Sequence, residues 1–180
     1  MSDPGRPISG SLDVELRPGT SADAEELADA MVRAFELYRP FAPPGWSLAP
    51  QAVERARLAE QLAKPQAWCL VARSGGALAG HSSFVAAAAH SRPVQDPELA
   101  HLTALFVEPS HWGTGLATVL HGAALRAAAE RGFSEMRLFT PTGQARARRF
   151  YEREGWTAWG PPELDEAFGL ELVEYRRRLA

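Results

Sequence analysis

Residues 107–120, VEPSHWGTGLATVL, place two glycines, Gly113 and Gly115, between an apolar run and a helical pattern. Lacking Cβ atoms, these positions leave room for a ligand, and residues 112–117 aim several backbone N–H groups at one point where a helix dipole is positive. Such a turn suits a phosphate. Leu116, Val119, Leu120, Ala123 and Ala127 follow at helical spacing, so the turn opens a helix packed on the domain. Two phosphate binders can be set aside. A Walker loop needs a lysine after its second glycine, and the single lysine of this chain, Lys64, lies far upstream. A dinucleotide fold wants Gly or Ala where Thr118 stands, and an acidic residue ending the next strand, which here closes Phe139, Thr140, Pro141.

The elements that must position this turn can be read from hydrophobic period and punctuation. Residues 1–11 are rich in Pro, Gly and Ser and read as a flexible tail, leaving 12–180 as one domain. Leu12, Val14 and Leu16 alternate with charged residues as a half-buried strand does. A capping box at Thr20 and Asp23 then starts a helix over 22–37 that carries Leu27, Met31, Ala34 and Phe35 on one face. The segment PFAPPGWSLAP, 40–50, is irregular, and its Phe41 and Trp46 are expected to pack over a pocket. A helix over 51–63 precedes a hairpin of 68–73 and 77–87. After a polar loop at 90–97, a strand (100–107), helix (116–131), strand (136–140) and helix (144–154) make a βαβα unit. Residues 170–179 read as a closing strand with 156–159 as its short partner.

The 180 residues suffice for one full core, and a net charge of −3 gives no polybasic field, which argues against nucleic acid or an anionic membrane as partner. One cysteine, Cys69, excludes an internal disulfide and reads as a buried thiol. The opening MSDPGRPISGSL lacks a secretory pattern and no run of about 18 apolar residues exists, so a soluble cytoplasmic protein is expected. His81, His90 and His121 have no partner at metal-ligand spacing, and no metal is expected.

The glycine turn resembles the acetyl-CoA signature of the GNAT (Gcn5-related N-acetyltransferase) superfamily: a strand ending Val-x-Pro, then Gln or Arg, two residues, Gly, one residue, and Gly or Ala. Val107, Glu108 and Pro109 fit the lead-in and Gly115 and Ala117 the last positions, with Gly113 a common companion. Trp112 stands where Gln or Arg is usual, as in an HWG subset of the family. A second stretch, GQARARRFYEREGW (143–156), is similar to the family's later Asn-x-x-Ala-x-x-Phe-Tyr helix followed by Gly-Phe. Ala147, Phe150, Tyr151 and Gly155 match, while Gln144 replaces Asn and Trp156 replaces Phe. The resemblance implies an α/β fold of GNAT type: a central, mostly antiparallel, twisted mixed sheet of six to seven strands flanked by about four helices.

It also implies a reaction, the transfer of an acetyl group from acetyl-CoA to the primary amine of a small molecule or peptide by direct attack on the thioester. On that reading Leu105, Phe106, Val107, Trp112, Gly113, Thr114, Gly115, Leu116, Ala117, Thr118, Gln144, Ala147 and Phe150 meet the cofactor. Leu105 supplies the oxyanion N–H. Tyr151 matches the family's proton donor to the leaving thiolate; its other reading is a core aromatic. An alkyl ammonium of pKa ~10 must first lose a proton. His101 is the candidate base, against a satisfied strand histidine, with Glu98 as fallback and a water chain as a further route. Arg146, Arg148, Arg149 and Arg153 read as a solvated helix face rather than as partners of the CoA 3′-phosphate.

Two other classes stay open. A binding module would keep the acyl-CoA pocket as a sensor or inactive GNAT-fold domain, and an unrelated nucleotide-binding enzyme would use the same turn for ATP or NAD. The acceptor amine is not specified by the sequence, and a homodimer is left open.

Overall fold

The computed structural model describes residues 13–64 and 66–180; the expected tail at 1–11, and Leu12, lie outside the described residues. The chain runs β1 (Glu15–Pro18), α1 (Ala24–Glu36), α2 (Gln51–Leu62), β2 (Trp68–Ser74), β3 (Ala77–Ala86), β4 (Leu99–Val107), α3 (Leu116–Glu130), β5 (Glu135–Pro141), α4 (Ala145–Arg153), β6 (Thr157–Ala158), β7 (Glu163–Asp165) and β8 (Leu170–Arg178). It is a mixed α/β fold with one eight-stranded sheet in the order β1-β2-β3-β4-β5-β8-β6, with β7 also pairing β8. All strand pairs are antiparallel except β4 with β5. The short β7, pairing Glu163–Asp165 with the start of β8, has no apolar alternation and was not expected from the sequence.

Local chemistry explains the start of the domain. The backbone N–H of Thr20 donates to the Asp23 carboxylate at 2.8 Å, and Arg17 from β1 donates to the same group at 2.6 and 3.0 Å. These bonds, the Arg17 guanidinium first, lower the Asp23 carboxyl to about 2. The apolar faces of α1 and α2 (Leu27, Ala28, Ala30, Leu58) close on Val71, Leu78 and Phe106 on one side of the sheet. On the other side α3 packs Leu116 and Leu120 against Ala72 and Ala79, and Ala124 and Ala128 against Leu102, Met136 and Leu138. Among the described residues no helix is long and apolar enough to cross a membrane.

Two irregularities in β4 shape the centre of the sheet. Ala104 lies opposite Ser83 of β3 and Leu102 opposite Phe84, so Thr103 is an extra residue, a bulge that bends the strand. The parallel register of β4 with β5 covers only Leu99–His101 against Glu135–Arg137. Beyond it β4 continues to Val107 and β5 to Pro141 without pairing each other, and β5 stays in register with β8 throughout. The two central strands therefore splay into a wedge that opens toward the glycine turn.

Candidate active site

At the wide end of the wedge, Gly113 and Gly115 adopt φ of +81° and +90°, the left-handed region that glycine enters without a Cβ penalty. An added Cβ at either would meet nothing within 4 Å, so it is backbone conformation that demands glycine there. Within the turn, the N–H of Trp112 is taken by the Pro109 carbonyl at 3.1 Å. That of Thr114 reaches His111 O at 3.5 Å, and that of Leu116 the Thr114 hydroxyl at 3.4 Å. The N–H groups of Gly113, Gly115, Ala117 and Thr118 have no acceptor among the described residues, and α3 begins at Leu116. This leaves an anion cradle at the positive end of a 15-residue helix. Trp112 is not part of the cradle through its backbone, and its indole N–H is also engaged, donating to Val107 O at 2.9 Å. Thr114 does not line the cavity; its hydroxyl donates to His111 O at 2.7 Å and so shapes the turn.

A cavity of about 670 Å³ runs from this turn into the wedge. One wall is β4 from Leu102 to Val107, including Leu105 and Phe106; the facing wall is Leu138, Phe139 and Thr140 of β5. Gln144, the N-cap of α4, closes it with Ala147, Phe150 and Tyr151 of that helix, and Leu116, Ala117 and Thr118 close it from α3. Tyr151 packs against the core beneath α3 while also lining the cavity, so the core-aromatic and cavity-facing readings of this residue are compatible. Burial, with the neighbouring Tyr38, raises its phenol well above the ordinary value. Tyr38, just past the end of α1, lines the same cavity, and burial pushes its phenol up to about 12.

His101 and Glu98 are not brought to this cavity. The His101 ring is buried, stacked on His90 with centroids 3.7 Å apart, and its Nδ1 accepts from Arg137 Nε at 3.1 Å. Burial first, then His90, Arg137 and Arg92, hold the imidazole well below its usual pKa. A neutral ring whose acceptor nitrogen already faces a guanidinium gives no support to the base role expected for it. Glu98 precedes β4 at the narrow end of the wedge, where its carbonyl accepts from Ser134 and Glu135. The acidic and imidazole groups that do line the cavity are Glu108, ion-paired with Arg33, and His111, bonded to Ser110 at 3.0 Å.

Phe41 and Trp46 do not line the cavity as expected. Phe41 presses on Gly143, where a Cβ would sit 2.5 Å from its ring, and packs beside Tyr38. Trp46 donates to Phe168 O at 2.8 Å and stands edge-on to that ring. Both form an aromatic backing behind Tyr38. Met31 and Ala34 of α1 also line the cavity, with Leu37 and Tyr38 just past its end; the sequence showed Met31 and Ala34 only as a packing face, because an apolar helical stripe reads as core whether it covers a sheet or the mouth of a wedge. Of the α4 arginines read as a solvated face, Arg146, Arg149 and Arg153 are exposed. Arg148 turns away to Tyr175 Oη and Thr142 O, both at 3.1 Å, but Arg146, Arg149 and Arg153 line the cavity.

The acetyltransferase (GNAT) family matches over residues 31–156, which contain the glycine turn, the wedge and all of α4. The chain belongs to this family. An uncharacterised N-acetyltransferase of Mycobacterium tuberculosis is 30 % identical over 142 residues, 74 % of this chain and 83 % of the relative. Among solved structures, an acetyltransferase from Salmonella typhimurium determined with its cofactor acetyl-CoA superposes with a TM-score of 0.69 at 19 % identity, covering 93 % of this chain and 94 % of that one. A ribosomal-protein-alanine N-acetyltransferase from Brucella melitensis gives 0.69 at 20 % identity, covering 92 % and 99 %. At these identities the structural likeness concerns the fold.

Proposed function

We propose that this protein transfers the acetyl group of acetyl-CoA to the primary amine of a small molecule or peptide. The observation that carries the reading is one continuous cavity, with four backbone N–H groups unpaired among the described residues at one end and two phenols, Tyr38 and Tyr151, along it. The N–H groups of Gly113, Gly115, Ala117 and Thr118 fit the cofactor's pyrophosphate, and the unpaired edges of β4 and β5 fit an amide-bearing arm between them. When bound, acetyl-CoA supplies an acyl group activated as a thioester.

The chain's residues then have separate tasks. Leu105 lies beyond the last β4–β5 pair, and its N–H is assigned to the developing oxyanion. Tyr151 is assigned to protonate the leaving thiolate; burial keeps its proton in place at neutral pH, so it is available when the thiolate, of conjugate pKa about 8.5, departs. Glu108 is ion-paired with Arg33, and His111 bonds Ser110 through Nδ1 at the glycine turn. Deprotonation is assigned to water at the cavity mouth.

The test is release of free CoA from acetyl-CoA in the presence of a panel of amines spanning arylamines, amino acids, peptide N-termini and polyamines. Release that depends on both the protein and one amine class supports transfer. Tight binding of acetyl-CoA with no release across the panel favours a sensor instead.

A further inference from the structure

Three arginines of α4, Arg146, Arg149 and Arg153, stand at i, i+3 and i+7 and so share one face of the helix, which lines the cavity beside the glycine turn. Arg146 is fixed there by an aromatic platform: its guanidinium carbon lies 3.7 Å from the centre of the Trp112 ring. Arg153 lies over Phe150 at 5.2 Å. Among the described residues Arg146 and Arg149 pair with no carboxylate, and Arg153, itself exposed, meets only its chain neighbour Glu154, at 3.3 Å. Arg148, on the other face of the same helix, is by contrast fully engaged with Tyr175 and Thr142. A stripe of cations held toward a cavity without internal counter-ions is poised for a ligand anion, and guanidinium forks match phosphate oxygens.

The backbone cradle is already assigned to the pyrophosphate, and the stripe runs from that cradle along α4 for about 10 Å, the rise of seven residues. We propose that Arg146, Arg149 and Arg153 form a phosphomonoester site for the 3′-phosphate of CoA. The stripe then makes the protein select acetyl-CoA over acetyl-dephospho-CoA, which has the same pyrophosphate and lacks that group. Trp112 is the positioning residue: standing where Gln or Arg is usual in the family's signature, it holds a cation delivered from α4. The proposal rests on the acetyl-CoA reading and deepens it.

The experiment is calorimetric titration of the full chain with acetyl-CoA and with acetyl-dephospho-CoA, for the wild type, Arg146→Gln, the pair Arg149→Gln/Arg153→Gln, and Arg178→Gln as an equal charge change away from the cavity. The wild type is expected to prefer acetyl-CoA by about tenfold or more, the scale of a charge-assisted hydrogen bond. In the cavity variants that ratio falls toward one, with acetyl-dephospho-CoA affinity nearly unchanged; Arg178→Gln keeps the wild-type ratio. A ratio that is the same in the wild type and the cavity variants, or an equal loss for both thioesters, overturns the 3′-phosphate site while leaving the acetyl-CoA reading intact. A wild type that binds neither thioester overturns both. Unchanged thermal midpoints in the variants establish that folding is not what was altered.

Discussion

The indole N–H of Trp112 donates to the carbonyl of Val107 at 2.9 Å, tying the glycine turn back to the last residue of β4. The same ring carries Arg146 on its face. One side chain therefore fixes both the lead-in to the anion cradle and the nearest cation. Trp112→Phe keeps a ring and loses the donor; it is expected to weaken acetyl-CoA binding by about three- to tenfold, from one hydrogen bond of about 1 kcal/mol. Calorimetry of the variant checks this, and an unchanged affinity removes Trp112 from the positioning role.

Gly115 holds φ of +90° as the N-cap of α3. Replacing it by Ala or Val forces an L side chain into the left-handed region, at about 1–2 kcal/mol. The substituted turn escapes that cost by moving its N–H groups. Gly115→Val is thus expected to lower the thermal midpoint modestly and to weaken acetyl-CoA by more than tenfold, and wild-type affinity in this variant would show that the cradle does not hold the cofactor.

Tyr151→Phe removes the assigned proton donor and preserves the packing against Trp156 and Tyr175. Turnover is expected to fall by about 10²-fold, the lower range for general acid catalysis, with acetyl-CoA affinity within about twofold of wild type. Steady-state kinetics beside calorimetry separates the two, and normal turnover would return Tyr151 to a purely structural part.

Much of this architecture was legible in the sequence, and the residues show why the rest was not. The βαβα unit around Gly113 and Gly115 follows from period and punctuation, because helix α3 and strands β4 and β5 each bury a continuous apolar face. The wedge is a different matter: it depends on the extra residue Thr103 and on pairing that stops at His101, and a bulge leaves no mark in hydrophobic period. The surroundings of His101 were not legible either. Its position on β4 pointed to chemistry, but its surroundings, His90 from a loop and Arg137 from β5, come from segments distant in sequence. The arginines of α4 could not be divided between the cavity rim and the contact with Tyr175 until the helix was placed, since Arg146, Arg148 and Arg149 have identical local character.

Trp156, where the family's motif has Phe, donates its indole N–H to Nε2 of the buried His121 at 2.9 Å. Trp156→Phe therefore restores the usual residue yet leaves a buried acceptor without a partner. It is expected to destabilise the fold by about 1–3 kcal/mol, and the double change Trp156→Phe/His121→Leu by less than the sum of the two single changes. Urea unfolding of the four proteins measures the coupling; additive losses would contradict it.

Buried imidazoles are expected to weaken the fold in acid. His81 is fully buried with neither ring nitrogen bonded among the described residues, and burial lowers its pKa to about 4. His121, 1 % exposed, is also lowered to about 4, again chiefly by burial. The folded state thus binds fewer protons than the unfolded chain, whose imidazoles titrate near 6.5, so this stability is complete above pH 6.5 and is lost as pH falls toward 4. For His81 the loss is on the order of 3 kcal/mol. His81→Leu is expected to flatten the fall in unfolding free energy between pH 6.5 and 4.5; an unchanged slope would show that His81 does not carry it.

The most direct measurement of the central claim is a calorimetric titration of the purified protein with acetyl-CoA, with ATP and NAD titrated in parallel. The wedge and the glycine turn predict micromolar binding of acetyl-CoA and no comparable binding of the other two. Absence of acetyl-CoA binding, or equal binding of ATP, would contradict the account.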